Sequence, residues 1–122
     1  MVKLANEEQS QVKRATRAAY GATLAELANE GLPVVAVDAD LTGSTTTKKL
    51  ADAGFADRLF NCGIAEQNMV GGAAGLAACG NKVFLATFAV FASMRACEQV
   101  RTFVCYPNLN VTVIGTHTGL QV

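Results

Sequence analysis

Strand-like and helix-like segments alternate along the whole 122-residue chain, which is the pattern of strands joined by helical crossovers in a parallel sheet. Pro33-Val34-Val35-Ala36-Val37 is short, β-branched and free of polar alternation, as expected of a strand covered on both faces. A helix-period stripe precedes it. The predicted fold class is therefore α/β, a parallel sheet with helices on both faces.

The first helix is expected from Asn6, an N-cap residue followed three positions later by Gln9, to Gly31 with Pro33 just beyond. Val12, Ala15, Ala19, Ala22 and Leu27 recur at helical spacing, leaving Lys13, Arg14 and Glu26 for water. The strand at 33–37 follows, with polar Asp38 and Asp40 marking its carboxyl end. After a Thr-rich loop come a short helix over Lys48 to Ala53 and a weak strand over Arg58 to Asn61. A helix carrying Glu66 then runs to about Cys79. Gly80-Asn81 turns the chain into a strand over Lys82 to Ala86, a helix over Phe91 to Cys105 follows, and Tyr106-Pro107-Asn108 leads to a last strand over Asn110 to Gly115.

Ten basic and ten acidic residues are mixed along the chain, so it shows no electrostatic footprint for nucleic acid and points instead to a small-molecule or protein partner. About half of the residues are hydrophobic, enough for one core and one domain. Cysteines 62, 79, 97 and 105 form no C-x-x-C pair, and His117 is the single histidine. Neither a metal site nor a disulfide is expected, but buried reduced thiols. With no signal-peptide pattern and no apolar run near 18 residues, the expected location is the cytosol, away from membranes.

Ligands of parallel sheets bind outside the carboxyl ends of the strands, and Asp40, Ser44, Glu66, Phe88 and His117 all fall there. Glu66 sits at the mouth of an apolar, glycine-rich helix, where burial opposes the charged form and suits an acid that shares its proton with a ligand nitrogen. Position alone leaves plainer roles open: a helix start favoured by the macrodipole for Glu66, a solvated face for Arg17, a surface loop for Ser44, a strand end for Asp40, core packing for Phe88 and Phe91. Gly71-Gly72-Ala73-Ala74-Gly75 is not G-x-G-x-x-G and lies within a helix, so it is no dinucleotide loop. Its small residues at 71 and 75 would instead admit another backbone, within the domain or across a dimer interface.

Six blocks occur in one order: Ala15-Thr16-Arg17, Asp40-Leu41-Thr42-Gly43-Ser44, Gly63-Ile64-Ala65-Glu66-Gln67-Asn68-Met69, Thr87-Phe88-Ala89-Val90-Phe91, Gln99-Val100-Arg101 and Gly115-Thr116-His117-Thr118-Gly119-Leu120. Together they resemble the pyrimidine-binding domain of transketolases, thiamine-diphosphate enzymes that move two-carbon ketol units between sugar phosphates. Related deoxyxylulose-phosphate synthases share Gly-Ile-Ala-Glu-Gln but usually continue with histidine, where this chain has Asn68. An initiator methionine shortly before the first helix is similar to the second subunit of a split transketolase.

The resemblance implies roles for particular residues. Glu66 would hydrogen-bond N1′ of the cofactor's aminopyrimidine and favour the imino form whose N4′ removes the C2 proton. Phe88 and Phe91 would form the aromatic pocket, with Phe91 as the stacking face, and Asp40 and Leu41 would lie against the cofactor. Met94 stands near a third aromatic position of the family and is not assigned to the cofactor. Arg17, Ser44 and His117 match positions that hold the sugar phosphate, and His117 would join Glu66 in catalysis.

No G-D-G run with a downstream asparagine occurs, so the resemblance assigns Mg²⁺ and the diphosphate to a partner subunit. Self-association into a dimer or heterotetramer is expected as well. In the family the sequence continues past Gly119-Leu120-Gln121-Val122 into further sheet, so residues 1–122 are expected to form the first two-thirds of the pyrimidine domain, inactive alone. A deoxyxylulose-phosphate synthase-like enzyme and a non-catalytic fragment retaining the fold are the alternatives.

Overall fold

The computed structural model describes residues 15–120. Helix α1 (Thr16–Asn29) leads to strand β1 (Val34–Asp38), two short helices α2 (Thr42–Thr45) and α3 (Lys49–Asp52), a 3₁₀ turn (Ala56–Arg58) and strand β2 (Leu59–Asn61). Helix α4 (Glu66–Ala78), strand β3 (Lys82–Phe88), helices α5 (Ala89–Met94) and α6 (Cys97–Gln99), a π-helix (Val100–Cys105) and strand β4 (Val111–Thr116) follow. The strands pair in the order β2-β1-β3-β4, all parallel, with Ala36 opposite Leu59 and Phe84, and Phe84 opposite Thr112. This is the expected α/β sheet.

All five residues of β1 are buried, because a layer covers each face. Val34 and Ala36 pack with Leu24 and Ala28 of α1 and Leu50 of α3, and Phe84 leans on the same cluster. Val37, Val83 and Leu85 pack on the other face with Met69, Val70, Ala73 and Ala77 of α4 and with Val104 of the π-helix. The chain leaves β1 toward β2 on one side, then α4 carries it back across to β3 on the other. Strand order thus reverses at β1, and a crevice opens outside the carboxyl ends of β1 and β3.

Several expectations are corrected. Ala15 is extended (ψ 130°) and α1 begins after it, so no single helix runs from Asn6 to Gly31. Asn6, Gln9, Val12, Lys13 and Arg14 lie outside the described residues. The buried stripe of α1 is Gly21, Leu24 and Ala28, whereas Ala15 and Ala19 are exposed; Glu26 is exposed as expected. Gly31, at φ +83°, supplies the left-handed residue that stops the helix. The Thr-rich loop contains helix α2, and the single helix expected over Phe91 to Cys105 is three segments ending in π geometry.

The four cysteines are free thiols, but Cys79, Cys97 and Cys105 are exposed and only Cys62 is half-buried. No backbone of the described chain approaches Gly71 or Gly75 within 4 Å of an added Cβ. The close approach is instead at Gly21, where a Cβ would stand 2.6 Å from the carbonyl oxygen of Thr46. No helix among the described residues is long and apolar enough to cross a membrane.

Candidate active site

Asp38 ends β1 on the face that α1 covers, and its buried carboxylate gathers the loop that follows. The Leu41 N–H donates to Oδ1 at 2.6 Å, while the hydroxyls of Thr45 and Thr47 donate to Oδ2 at 2.8 and 3.1 Å. Burial outweighs these hydrogen bonds and pushes the Asp38 carboxyl above the usual carboxylate range. Tyr20 of α1 lies beside Thr47 and Asp38, and burial pushes its phenol up to about 12.

The chain turns at Asp40 in the left-handed region (φ +63°), a conformation that aspartate tolerates better than most residues. Asn61, at the end of β2, fixes that turn: its Oδ1 accepts the N–H of Asp40 and of Gly63, both at 3.0 Å, and its amide reaches the Asp40 carboxylate at 3.4 Å. One side chain thus ties the loop after β1 to the loop that delivers Glu66. Thr46 (φ +67°) and His117 (φ +52°) hold left-handed conformations on the same rim, where strain in non-glycine residues marks over-determined, functional geometry.

Glu66 opens α4 and is 5% exposed. It faces a cavity of about 410 Å³ shared with Asp40, Leu41, Ile64, Phe91 and Arg95. Apolar Ile64 and Phe91 thus share the cavity with charged Asp40 and Arg95. Arg95 Nη1 donates to Glu66 Oε1 at 3.1 Å, and its guanidinium lies 3.9 Å from the centroid of the Phe91 ring. Phe88 and Phe91 stack with centroids 5.6 Å apart and planes at 23°.

A second group faces α1. Arg17 Nη1 and His117 Nε2 are 2.6 Å apart, His117 Nδ1 is 2.9 Å from the Thr116 hydroxyl, and the imidazole lies 4.4 Å from the Phe88 ring centroid. At 2.6 Å the arginine N–H donates to a neutral ring nitrogen, so Nε2 is the acceptor and Nδ1 the protonated position. The structure therefore brings Arg17, His117 and Phe88 into one chain of contacts and Asp40, Leu41, Glu66 and Phe91 around one cavity. Ser44 stands apart from both: it is exposed in α2, next to the buried Thr45.

Sequence reasoning missed Arg95, Asn61 and the Asp38–Thr45–Thr47 cluster. Arg95 follows Phe91 by four positions, the spacing that overlays side chains on a helix, so its place over the ring was within reach of the sequence. Its pairing with Glu66, 29 positions away, was not.

The chain matches the family described as "Transketolase, pyrimidine binding domain" over residues 12–122. It is 49% identical over 122 residues to a "Putative transketolase C-terminal section" from Methanocaldococcus jannaschii, covering 100% of this chain and 37% of that protein. It is 40% identical over 104 residues to a "6-deoxy-6-sulfo-D-fructose transketolase subunit SqwH" from Clostridium sp., covering 85% of this chain and 32% of that one. A solved structure described as "Split gene transketolase, inactive beta4 tetramer" superposes with a TM-score of 0.77 at 52% identity, over 87% of this chain and 35% of its own. The chain thus spans about a third of the length of these relatives. With the match extending over nearly all of its length, the chain belongs to the transketolase family and carries that family's pyrimidine-binding domain.

Proposed function

We propose that this chain forms the aminopyrimidine side of a thiamine-diphosphate site in a split transketolase, working in the cytosol with a partner subunit that holds Mg²⁺ and the diphosphate. The observation that carries the reading is a buried Glu66 facing the same cavity as Leu41 and the Phe91 ring. The donor set suits a flat, basic heteroaromatic ring: a carboxyl able to share a proton, an aromatic face, and apolar walls from Ala39, Leu41 and Ile64. When bound, thiamine diphosphate supplies the carbanion-stabilising centre for ketol transfer.

The chain's own residues then divide the work. Glu66 holds a ring nitrogen and hands it a proton, and its place at the start of a 13-residue helix fixes where that proton moves. Phe91 offers a stacking surface worth about 0.5–1.5 kcal/mol beyond area burial. Asp40 and Leu41, anchored through Asn61 and Asp38, line the opposite wall. Arg17 and His117 take the phosphate and hydroxyls of a donor sugar, His117 serving also in proton handling, and Ser44, which stands apart from them in α2, is the third substrate-binding residue. A relative that forms a β4 tetramer supports self-association of this subunit as well.

The test is Glu66→Gln in the full-length subunit reconstituted with its partner. Turnover should fall roughly 10² to 10⁴-fold, while the dissociation constant of thiamine diphosphate changes by less than about tenfold, one hydrogen bond's worth. Activity above half of wild type at saturating cofactor overturns the assignment. Xylulose 5-phosphate should serve as donor in the same assay; turnover with pyruvate instead would assign the chain to a deoxyxylulose-phosphate synthase-like enzyme, and with neither to a non-catalytic role.

A further inference from the structure

Arg95 already satisfies the two surfaces assigned above to the aminopyrimidine. Its guanidinium, a flat and delocalised cation with N–H donors in its plane, lies 3.9 Å from the Phe91 centroid and donates to Glu66 Oε1 at 3.1 Å. An aminopyrimidine placed on Glu66 and Phe91 would need the same flat surface and the same carboxylate. Gln67 pins the root of the arginine, its Nε2 donating to the Arg95 carbonyl at 3.1 Å. The side chain itself is 50% exposed. Backbone held and head group half in water, it can leave the carboxylate without disturbing α4 or α5.

We propose that Arg95 is an internal stand-in for the aminopyrimidine, competing with the cofactor for Glu66 and the Phe91 face. The inference rests on the reading of Glu66 and Phe91 as cofactor-binding residues. It explains how a carboxylate that is 5% exposed is kept paired and aligned, since a buried charge without a partner is costly. Cofactor entry then exchanges one planar partner for another: as the guanidinium leaves, the carboxylate takes up one proton from solvent, and that is the proton it shares with the ring nitrogen. The apparent affinity is lowered by the fraction of time the arginine holds the site.

A half-exposed ion pair and a cation–π contact are each weak, so the competition is worth about a factor of five in dissociation constant. Calorimetric titration of the full-length subunit and its partner with thiamine diphosphate and Mg²⁺ reads it directly. Arg95→Met, which keeps the stem and removes the planar cation, should bind the cofactor about fivefold more tightly than wild type. Arg95→Lys, a point charge without the flat face, should fall between the two. Glu66→Ala should weaken binding in both backgrounds and abolish the gain from Arg95→Met. Unchanged or weaker binding by Arg95→Met, with Glu66→Ala still harmful, overturns the stand-in role alone. If Glu66→Ala leaves the affinity of wild type untouched, the cofactor reading of the cavity fails, and the stand-in with it.

Discussion

Gly21→Ala pits two effects of opposite sign against each other. In a solvent-facing helix interior, replacing glycine by alanine is favourable by about 0.5–1 kcal/mol, and Gly21 lies in the middle of α1. The added Cβ, however, would stand 2.5 Å from the Thr46 hydroxyl, 2.6 Å from its carbonyl oxygen and 3.0 Å from its Cβ. That is about 0.8 Å inside ordinary contact with a backbone atom. Thr46 has little room to retreat, because it is held at φ +67° and its hydroxyl donates to the carbonyl of Arg17. Overpacking of this kind costs about 1–3 kcal/mol, which exceeds the propensity gain, so the variant should be less stable by roughly 1–2 kcal/mol. Gly72→Ala is the matched control, since it is also mid-helix but nothing lies within 4 Å of its added Cβ; it should be stabilised by about 0.5–1 kcal/mol. Urea titrations of the full-length subunit, followed by circular dichroism, compare the two. A Gly21→Ala variant as stable as Gly72→Ala would refute the packing of α1 against the Thr46 loop.

Truncating Arg17 to Ala should raise KM for phosphorylated donors by about tenfold or more, the cost of one charge-assisted hydrogen bond, and spare a short unphosphorylated donor such as hydroxypyruvate. Equal losses on both would make Arg17 structural. Asp38 carries a pH signature: its folded-state carboxyl is held above the ordinary value by burial, so its stabilising contribution is fullest below the unfolded value of about 3.9 and is lost as pH rises through the folded one. The stability gap between wild type and Asp38→Asn should therefore narrow between about pH 4 and neutrality. A gap that widens over that range, in thermal melts of the full-length subunit, would reverse the assigned direction.

Strands were the legible part of the fold. Val34 to Val37 could only be satisfied by burial on both faces, and the alternation of such runs with helical segments left few other architectures. The start of α1 was hidden because its residues are mostly alanine and other small side chains, which give a stripe of no definite phase; packing against Thr46 and Leu50, not local pattern, decides which side is buried. The break of the 91–105 segment into α, α and π pieces carries no proline or glycine to announce it. At the site, Asp40, Ser44, Glu66, Phe88 and His117 could be placed at the carboxyl ends of the strands from position alone, whereas Leu41 and Phe91 entered only through the family resemblance. Their supports could not be placed either way: Asn61 bridges two loops, Asp38 collects hydroxyls from a loop that reads as plain surface, and Arg95 reaches back to Glu66 across 29 positions. Charged and amide side chains acting over such separations leave no periodic trace.

The central strand also sets a rule of parity for the molecule. Along β1, even-numbered Val34 and Ala36 feed the core under α1, odd-numbered Val37 the core under α4, and Asp38 inherits the even side, where it meets Thr45 and Thr47. β3 obeys the same count, with Phe84 on the α1 side and Val83 and Leu85 opposite. Inserting or deleting a single residue within either strand would therefore exchange the two cores and turn the terminal side chain through the sheet, sending the Asp38 carboxylate away from its threonines or the Phe88 ring away from His117. A change of two residues would preserve facing and only alter reach. Homologous chains that keep this site should thus vary freely in their loops while admitting length changes in β1 and β3 only in even steps.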